Sequence, residues 1–232
     1  MTTITISRDF GSEGDNVARR VAEDLGYHFV DKEIIGDLLG NYGFVEFDKE
    51  YDSLMGFWAK FDAQRDKRRD NMVEMLNRVL EALAVHGNTV ILGRSGFSVL
   101  AGYADAFHVR LQEPFPVRVR RIMKNSNLTH VEASLICEDG DKIRADFVRD
   151  FYGISWDAAH AFDLVINLEK IVPDQAVGYI TSAIKAYELV SKKGKPTSGM
   201  LEVDPVLTRA VNTVLGCTID HGELAPDYLV HA

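Results

Sequence analysis

Cysteine is almost absent from this chain: two occur in 232 residues, Cys137 and Cys217, with no Cys-x-x-Cys pair and no Cys/His cluster. That excludes a disulfide scaffold and a structural zinc site, and it suits a reducing compartment. Apolar runs of 18 or more residues are missing, so no segment reads as a membrane span. The opening residues, MTTITISRDFGSEGD, lack a basic stretch followed by an apolar one. No signal peptide is expected, and the expected location is cytoplasmic. Positive charge is also short, with 26 Lys+Arg against 35 Asp+Glu and a net charge of -9. A general nucleic-acid binder would present a basic face, so that class is set aside, while a local basic pocket for a small phosphate ligand is not. The hydrophobic share of 46% and charged share of 26% exclude a disordered chain. The length suits one α/β domain, alone or with a small appendage.

What is present is an alternation of strand and helix signals. Thr3-Ile4-Thr5-Ile6 alternates like a strand, and the turn-rich stretch from Ser7 to Asp15 follows with Gly11 and Gly14. Val17, Ala18, Val21, Ala22 and Leu25 then mark an amphipathic helix closed by Gly26, and His28-Phe29-Val30 reads as a second strand. A βαβ unit of this kind implies a parallel sheet. Between about 36 and 70 a helical insert is expected, carrying Phe44, Phe47, Tyr51, Phe57, Trp58 and Phe61 among many charges. An apolar stripe from Met72 to Ala84 predicts a long helix ended by Gly87-Asn88, and Thr89 to Leu92 reads as a buried strand running into Gly93-Arg94-Ser95-Gly96. Ala106 to Leu111 is a further strand, and Pro114 opens a basic helix. Thr129-x-x-Glu132 is a capping-box pattern before another helix, followed by a separate charged helix over Glu138 to Tyr152. A core strand over Asp163 to Leu168 and a helix from Pro173 to near Lys192 complete the main body, 1–190. Residues 191–199 have linker composition, and 200–232 form a C-terminal helical appendage with Asp204 as N-cap, Pro205 at the first position and Gly216 as the stop. Too small to fold alone, this tail is expected to dock on the main body or to form a homodimer through its helix.

The fold class is therefore α/β, a doubly wound parallel sheet, which binds ligands at the carboxyl ends of its strands. That predicts a site built from the Ser7–Asn16 loop, the Asp31 region, the Gly93–Gly96 turn and the basic helices. Glycines in a strand-to-helix loop let backbone N–H groups approach a phosphate, and the helix terminus adds partial positive charge. The spacing G-x-x-x-x-G-K-[ST] is not met, because no lysine stands there. The other reading is a glycine turn used only for packing. Asp31 serves equally as an N-cap of Lys32-Glu33-Ile34 or as a metal or substrate group, and Arg118, Arg120 and Arg121 suit a solvated helix face or a phosphate. Phe57, Trp58 and Phe61 fit core or interface better than base stacking. The seven histidines form no ligand pair, and Cys137 has no nearby histidine.

Several of these motifs occur together in a recognisable order. Ile4-Thr-Ile-Ser-Arg8, Gly11-Ser12-Glu13-Gly14, Ala18-Arg19, Phe29-Val-Asp31-Lys32-Glu33-Ile34-Ile35 and Val90-Ile-Leu-Gly93-Arg94, with the basic lid-like helix, resemble the cytidylate kinase-like family over residues 3–190. That family is a branch of the P-loop nucleoside monophosphate kinases. The resemblance implies their sheet, with a helical acceptor-binding insert at about 36–70 and LID-like helices at about 126–152. It implies ATP and Mg²⁺ as cofactors, nucleotide substrates, and transfer of the γ-phosphate to a (d)CMP-like monophosphate. On it, Gly11, Ser12, Glu13, Gly14, Asp15 and Asn16 hold donor phosphates together with Asp141 and Arg149. Arg8, Arg94, Arg121 and Arg144 are the catalytic cations, and Asp31 is the metal ligand. Bidentate guanidinium–phosphate pairing suits arginine to these roles. The chain departs from the pattern at Glu13 and Asp15 in the loop, at Leu92 and Ser95 around the Gly-Arg turn, and at Asp37. Two alternatives therefore stand beside the kinase: a nucleotide-binding sensor on the same fold, and a kinase of another small acceptor.

Overall fold

The computed structural model describes residues 1–41 and 63–216. The aromatic residues Phe44 to Phe61, most of the expected insert, Cys217 and the end of the tail lie outside the described residues. Five strands form one sheet in the order β2-β3-β1-β4-β5: β1 (Thr3–Arg8), β2 (His28–Val30), β3 (Thr89–Leu92), β4 (Ala106–Gln112) and β5 (Leu164–Asn167). Every pairing is parallel, so each step along the sheet needs a crossover. The described helices are α1 (Gly14–Leu25), α2 (Lys32–Asn41), α3 (Ala63–His86), α4 (Gly96–Val99), α5 (Phe115–Ser126), α6 (His130–Tyr152), α7 (Pro173–Glu188) and α8 (Pro205–Val214).

The sheet is covered on both faces, as parallel sheets require. Ile4, Ile6, Val90, Val109 and Leu111 pack with Val17 and Val21 of α1 and Ile180 and Ile184 of α7. On the other face Val30 and Ile91 meet Ile35, Leu38 and Leu39 of α2, and Leu76, Leu80 and Leu83 of α3. The alternation of β1 therefore does not separate core from solvent: Thr3, Thr5 and Ser7 are buried too. Their hydroxyls are satisfied within the sheet, Thr3 by Thr89 at 3.3 Å, Thr5 by His108 Nδ1 at 2.7 Å and Ser7 by Arg110 Nη1 at 3.0 Å.

Three sequence expectations change. First, β1 runs on to Arg8 and α1 begins at Gly14, so the glycine loop is short and Asp15 and Asn16 stand on the first helical turn. Second, α6 is one helix, where two were expected. Its capping box forms, with Thr129 Oγ1 accepting from the Glu132 N–H at 3.3 Å and Glu132 Oε2 accepting from the Thr129 N–H at 2.8 Å. Gly140 does not interrupt it, because the missing Cβ is where the Phe10 ring packs; a Cβ there would lie 2.5 Å from that ring. Third, the stretch of linker composition is bonded to the body: the Ala104 N–H donates to Pro196 O at 2.8 Å, and the Ser198 hydroxyl donates to Asp105 at 2.6 Å. Beyond it, α8 places Leu207 and Val211 in the core shared by α2 and α3.

From β1 the chain crosses toward β2, and from β4 it crosses toward β5. The sheet thus changes winding direction beside β1, and a crevice opens at the carboxyl ends of the strands there.

Candidate active site

A cavity of about 630 Å³ occupies that crevice. Its walls come from the end of β1, the first turns of α1 and α2, the turn after β3, and the face of α6 that carries Gly140, Arg144 and Phe147. Five cationic side chains line it, Arg8, Arg19, Lys32, Arg94 and Arg144, against three acids, Asp15, Asp31 and Glu33. The chain as a whole carries -9, so the surplus of cations here is local.

The amino end of α1 opens on this space. Glu13, at the N-cap position, makes no side-chain cap bond, and the Gly14 N–H is taken by Ser12 Oγ at 3.3 Å. The next two residues, Asp15 and Asn16, line the cavity. First-turn N–H groups have no intrahelical acceptor and carry the positive end of the helix dipole. Such a terminus accepts a phosphate readily.

Arg8 leaves β1 beside it. Its Nε donates to Asp15 Oδ1 at 2.7 Å, and its Nη1 lies 2.6 Å from where a Cβ of Gly93 would be. Gly14 is equally constrained, since its Cβ would stand 2.6 Å from Arg8 Cβ. The turn after β3 holds three successive residues in the left-handed region, Gly93 at φ +74°, Arg94 at +53° and Ser95 at +57°. For non-glycine residues this conformation is strained, and strain of this kind collects at functional sites. It sets the Arg94 side chain, 7% exposed, in the cavity wall.

At the β2 end, Asp31 does two things. Oδ1 accepts the Glu33 and Ile34 N–H groups at 3.0 and 3.2 Å, capping α2. Oδ2 lies 3.6 Å from Arg19 Nη2, and the Arg19 guanidinium stacks over Phe29 at 4.3 Å. Across the cavity, Arg144 donates to Gly140 O at 2.6 Å and lies 5.1 Å from the Phe10 ring centroid.

The structure thus brings Arg8, Asp15, Asn16, Asp31, Arg94 and Arg144 together on one cavity. It does not bring the other sequence candidates to that wall. Arg121 is held bidentately by the buried Glu113 and donates to Gly11 O at 2.9 Å. Glu113 keeps that guanidinium firmly charged, raising its pKa. Arg149 is exposed and paired with Asp146 at 2.7 Å and Asp150 at 2.9 Å. Asp141 accepts the Phe10 N–H at 3.0 Å and meets Arg118 at 2.9 Å. Arg118, a candidate for a solvated face, is buried and donates to Phe10 O at 2.8 Å, whereas Arg120 is exposed. Gly11, Ser12, Glu13 and Gly14 shape the loop behind the wall; Glu13 reaches toward Arg121 at 4.0 Å.

Arg19 and Lys32 stand in the sequence motifs without an assigned role, and Arg110 stands in none. Arg19 stands four residues after Asp15, so helical spacing put both on one face of α1. Arg110 gave a fainter signal, a lone cation inside the strand sequence AFHVRLQ.

Among the described residues no group of three His, Cys, Asp or Glu is arranged to hold a metal. The cavity instead offers the carboxylates of Asp15 and Asp31 and the amide of Asn16. A few hard oxygen donors of this kind fit magnesium, which keeps water and phosphate ligands and takes one or two carboxylates.

The model of the cytidylate kinase-like family matches residues 3–170. A cytidylate kinase of Natronomonas pharaonis is 27% identical over 203 residues, spanning 85% of this chain and 97% of its own length. One from Ignicoccus hospitalis is 30% identical over 178 residues, 76% of this chain and 95% of its own. Among solved structures, an uncharacterized protein from Eubacterium ventriosum gives a TM-score of 0.62 at 19% identity, covering 80% of this chain and 99% of that one. A gluconokinase from Sinorhizobium meliloti gives 0.53 at 13% identity, with 81% and 95% covered. At these identities the structural likeness speaks for the fold.

Proposed function

We propose, from the premise that this chain belongs to the cytidylate kinase-like family, that it transfers the γ-phosphate of ATP to a cytidine monophosphate-like acceptor. The observation that carries the reading is the set of five cations on one cavity at the amino end of α1, where Glu13 makes no side-chain cap bond. Phosphoryl transfer asks a protein mainly to position two phosphates and offset their charge, which such a wall does. Similarity to relatives named cytidylate kinase supports the choice of acceptor class.

In this reading the α1 terminus and Arg8 receive the donor phosphates. An incoming phosphate competes with Asp15 for the Arg8 Nε, and it offers a bidentate partner in place of a single bond. Arg94, held in its strained turn, takes the acceptor phosphate and so fixes the distance between the two substrates. Arg144 and Phe10 close the side formed by α6 and exclude water. Magnesium, if bound, would offset charge on the donor phosphates, and Asp15 and Asp31 are the carboxylates that would hold it.

One observation favours a second reading, a nucleotide-binding sensor. Two acids, Glu13 and Asp15, stand at the α1 terminus, and Asp15 already holds Arg8. Calorimetric titration of ATP and CMP, each with and without Mg²⁺, tests the proposal. The expected result is binding of both nucleotides, ATP tighter with Mg²⁺. Binding of ATP alone favours the sensor, and binding of neither nucleotide removes both readings.

A further inference from the structure

Among the described residues Arg110 is the bulkiest fully buried side chain, 1% exposed, on a strand paired on both sides within the sheet. Burying a guanidinium there is costly, and a hydrophobe of similar volume would avoid the cost. Its partners indicate what it does. Nη1 donates to Ser7 Oγ at 3.0 Å, and Nη2 donates to Asp9 Oδ1 at 2.6 Å and to Asp157 Oδ1 at 3.3 Å. The plane of the guanidinium lies against Trp156, 3.8 Å from the ring centroid. Its Nε–H has no hydrogen-bond partner among the described residues, so the guanidinium is not arranged simply to satisfy itself.

From Asp9 the hydrogen bonds continue to the head of α1. The second Asp9 oxygen accepts the Glu113 N–H at 2.8 Å. The Asp9 carbonyl accepts the Ser12 hydroxyl at 2.9 Å, and that hydroxyl oxygen accepts the Gly14 N–H at 3.3 Å. Burial pushes the Asp9 carboxyl upward, against the pull of Arg110; without Arg110 the carboxylate would be left without its closest counter-charge. On the other side, Trp156 lines the cavity and packs with Phe97 and Val148. One buried cation therefore touches both the turn that ends β1 and the segment that follows α6.

We propose that Arg110 is a positioning residue of the candidate active site: through Asp9 it sets the loop and first turn that receive the donor phosphates, and through Trp156 it sets the facing wall. This rests on reading the cavity as a phosphotransfer site. Arg110 does not line the cavity and touches no reacting atom.

The test compares full-length Arg110→Met, Arg110→Lys, Asp9→Asn and the Arg110→Met/Asp9→Asn double variant with the wild type. Three quantities are read on each: ATP affinity by calorimetry, kcat and KM with ATP, CMP and Mg²⁺, and hydrogen exchange of amides 9–14. Arg110→Met is expected to weaken ATP binding at least tenfold, to lower kcat more than it raises the KM for CMP, and to speed exchange across the loop. Arg110→Lys is expected to recover part of the affinity. The double variant is expected to be no worse than Arg110→Met, because both changes cut one connection. Wild-type ATP affinity and loop exchange in a folded Arg110→Met protein would overturn the proposal. If Arg110→Met does not fold, Asp9→Asn decides: unchanged affinity and exchange overturn it, and a tenfold loss supports it. If the wild type binds ATP but makes no product, phosphotransfer fails while the affinity comparison still judges Arg110. If the wild type binds no ATP, both readings fall.

Discussion

Arg94 is committed to the cavity by its backbone. A φ of +53° next to Ser95 at +57° is a conformation that neither residue prefers, and the turn is held by the Gly93 N–H donating to Ile6 O at 2.9 Å. The cost of such a turn, on the order of 1 kcal/mol or more per strained residue, is borne where a side chain must be aimed. Arg94→Ala is therefore expected to raise the KM for CMP at least tenfold while ATP affinity and melting temperature stay near wild type. Steady-state kinetics with each substrate varied in turn reads this directly. An equal loss for both substrates would mean that Arg94 does not discriminate acceptor from donor. Arg8 differs: it is held by Asp15 at 2.7 Å and by the space that Gly93 leaves, so its role depends on two neighbours that a sequence pattern does not connect.

Strand β4 shows the same principle at the scale of an element. One face carries Phe107, Val109 and Leu111 into the core, and the other carries His108 and Arg110 against Thr5 and Ser7. Burial holds the His108 ring below its ordinary pKa of 6.5, against the opposing charge of Asp163. The folded protein thus keeps the ring neutral where the unfolded chain protonates it. The stability from His108 is complete above pH 6.5 and is lost as pH falls from there toward the lower folded value, with a limiting slope of about 1.4 kcal/mol per pH unit. Burial shifts His28 the same way. The urea midpoint is expected to drop between pH 7.5 and 5.5, and His108→Gln is expected to make that drop shallower; an unchanged slope would contradict the assignment. Most elements were legible from local pattern: α1 from its helical apolar spacing, β1 from its alternation, and β2 and β3 as short runs bounded by turn residues, although β1 and β3 are buried along their length. The continuous α6 was not, since only the Phe10 ring explains a helical Gly140. Placement on the candidate cavity was legible where a residue sits at a strand end or helix start, as Arg8, Asp15, Asp31 and Arg94 do. Arg121 escaped because Glu113, its partner, lies eight residues upstream and is buried. For Arg149 the signal is local, since Asp146 and Asp150, its partners, are near neighbours along the helix.

At the scale of the whole molecule, the chain closes on itself through its last described helix. Leu207 and Val211 of α8 are buried against α2 and α3, and Ser198 ties the preceding stretch to Asp105 and to Ala84 O. Truncation after Gly194 is expected to cost about 3 kcal/mol or more, from two buried aliphatic side chains alone, read as a lower urea midpoint. An unchanged midpoint would contradict docking of α8 within the chain. The proposed activity is movement of a phosphoryl group between two nucleotides in this cavity. Incubating the full-length protein with ATP, CMP and Mg²⁺ and following the phosphorus resonances measures it directly. CDP and ADP are expected to appear in equal amounts, with neither formed when Mg²⁺ is chelated. ATP bound by the protein yet recovered intact beside CMP would contradict it.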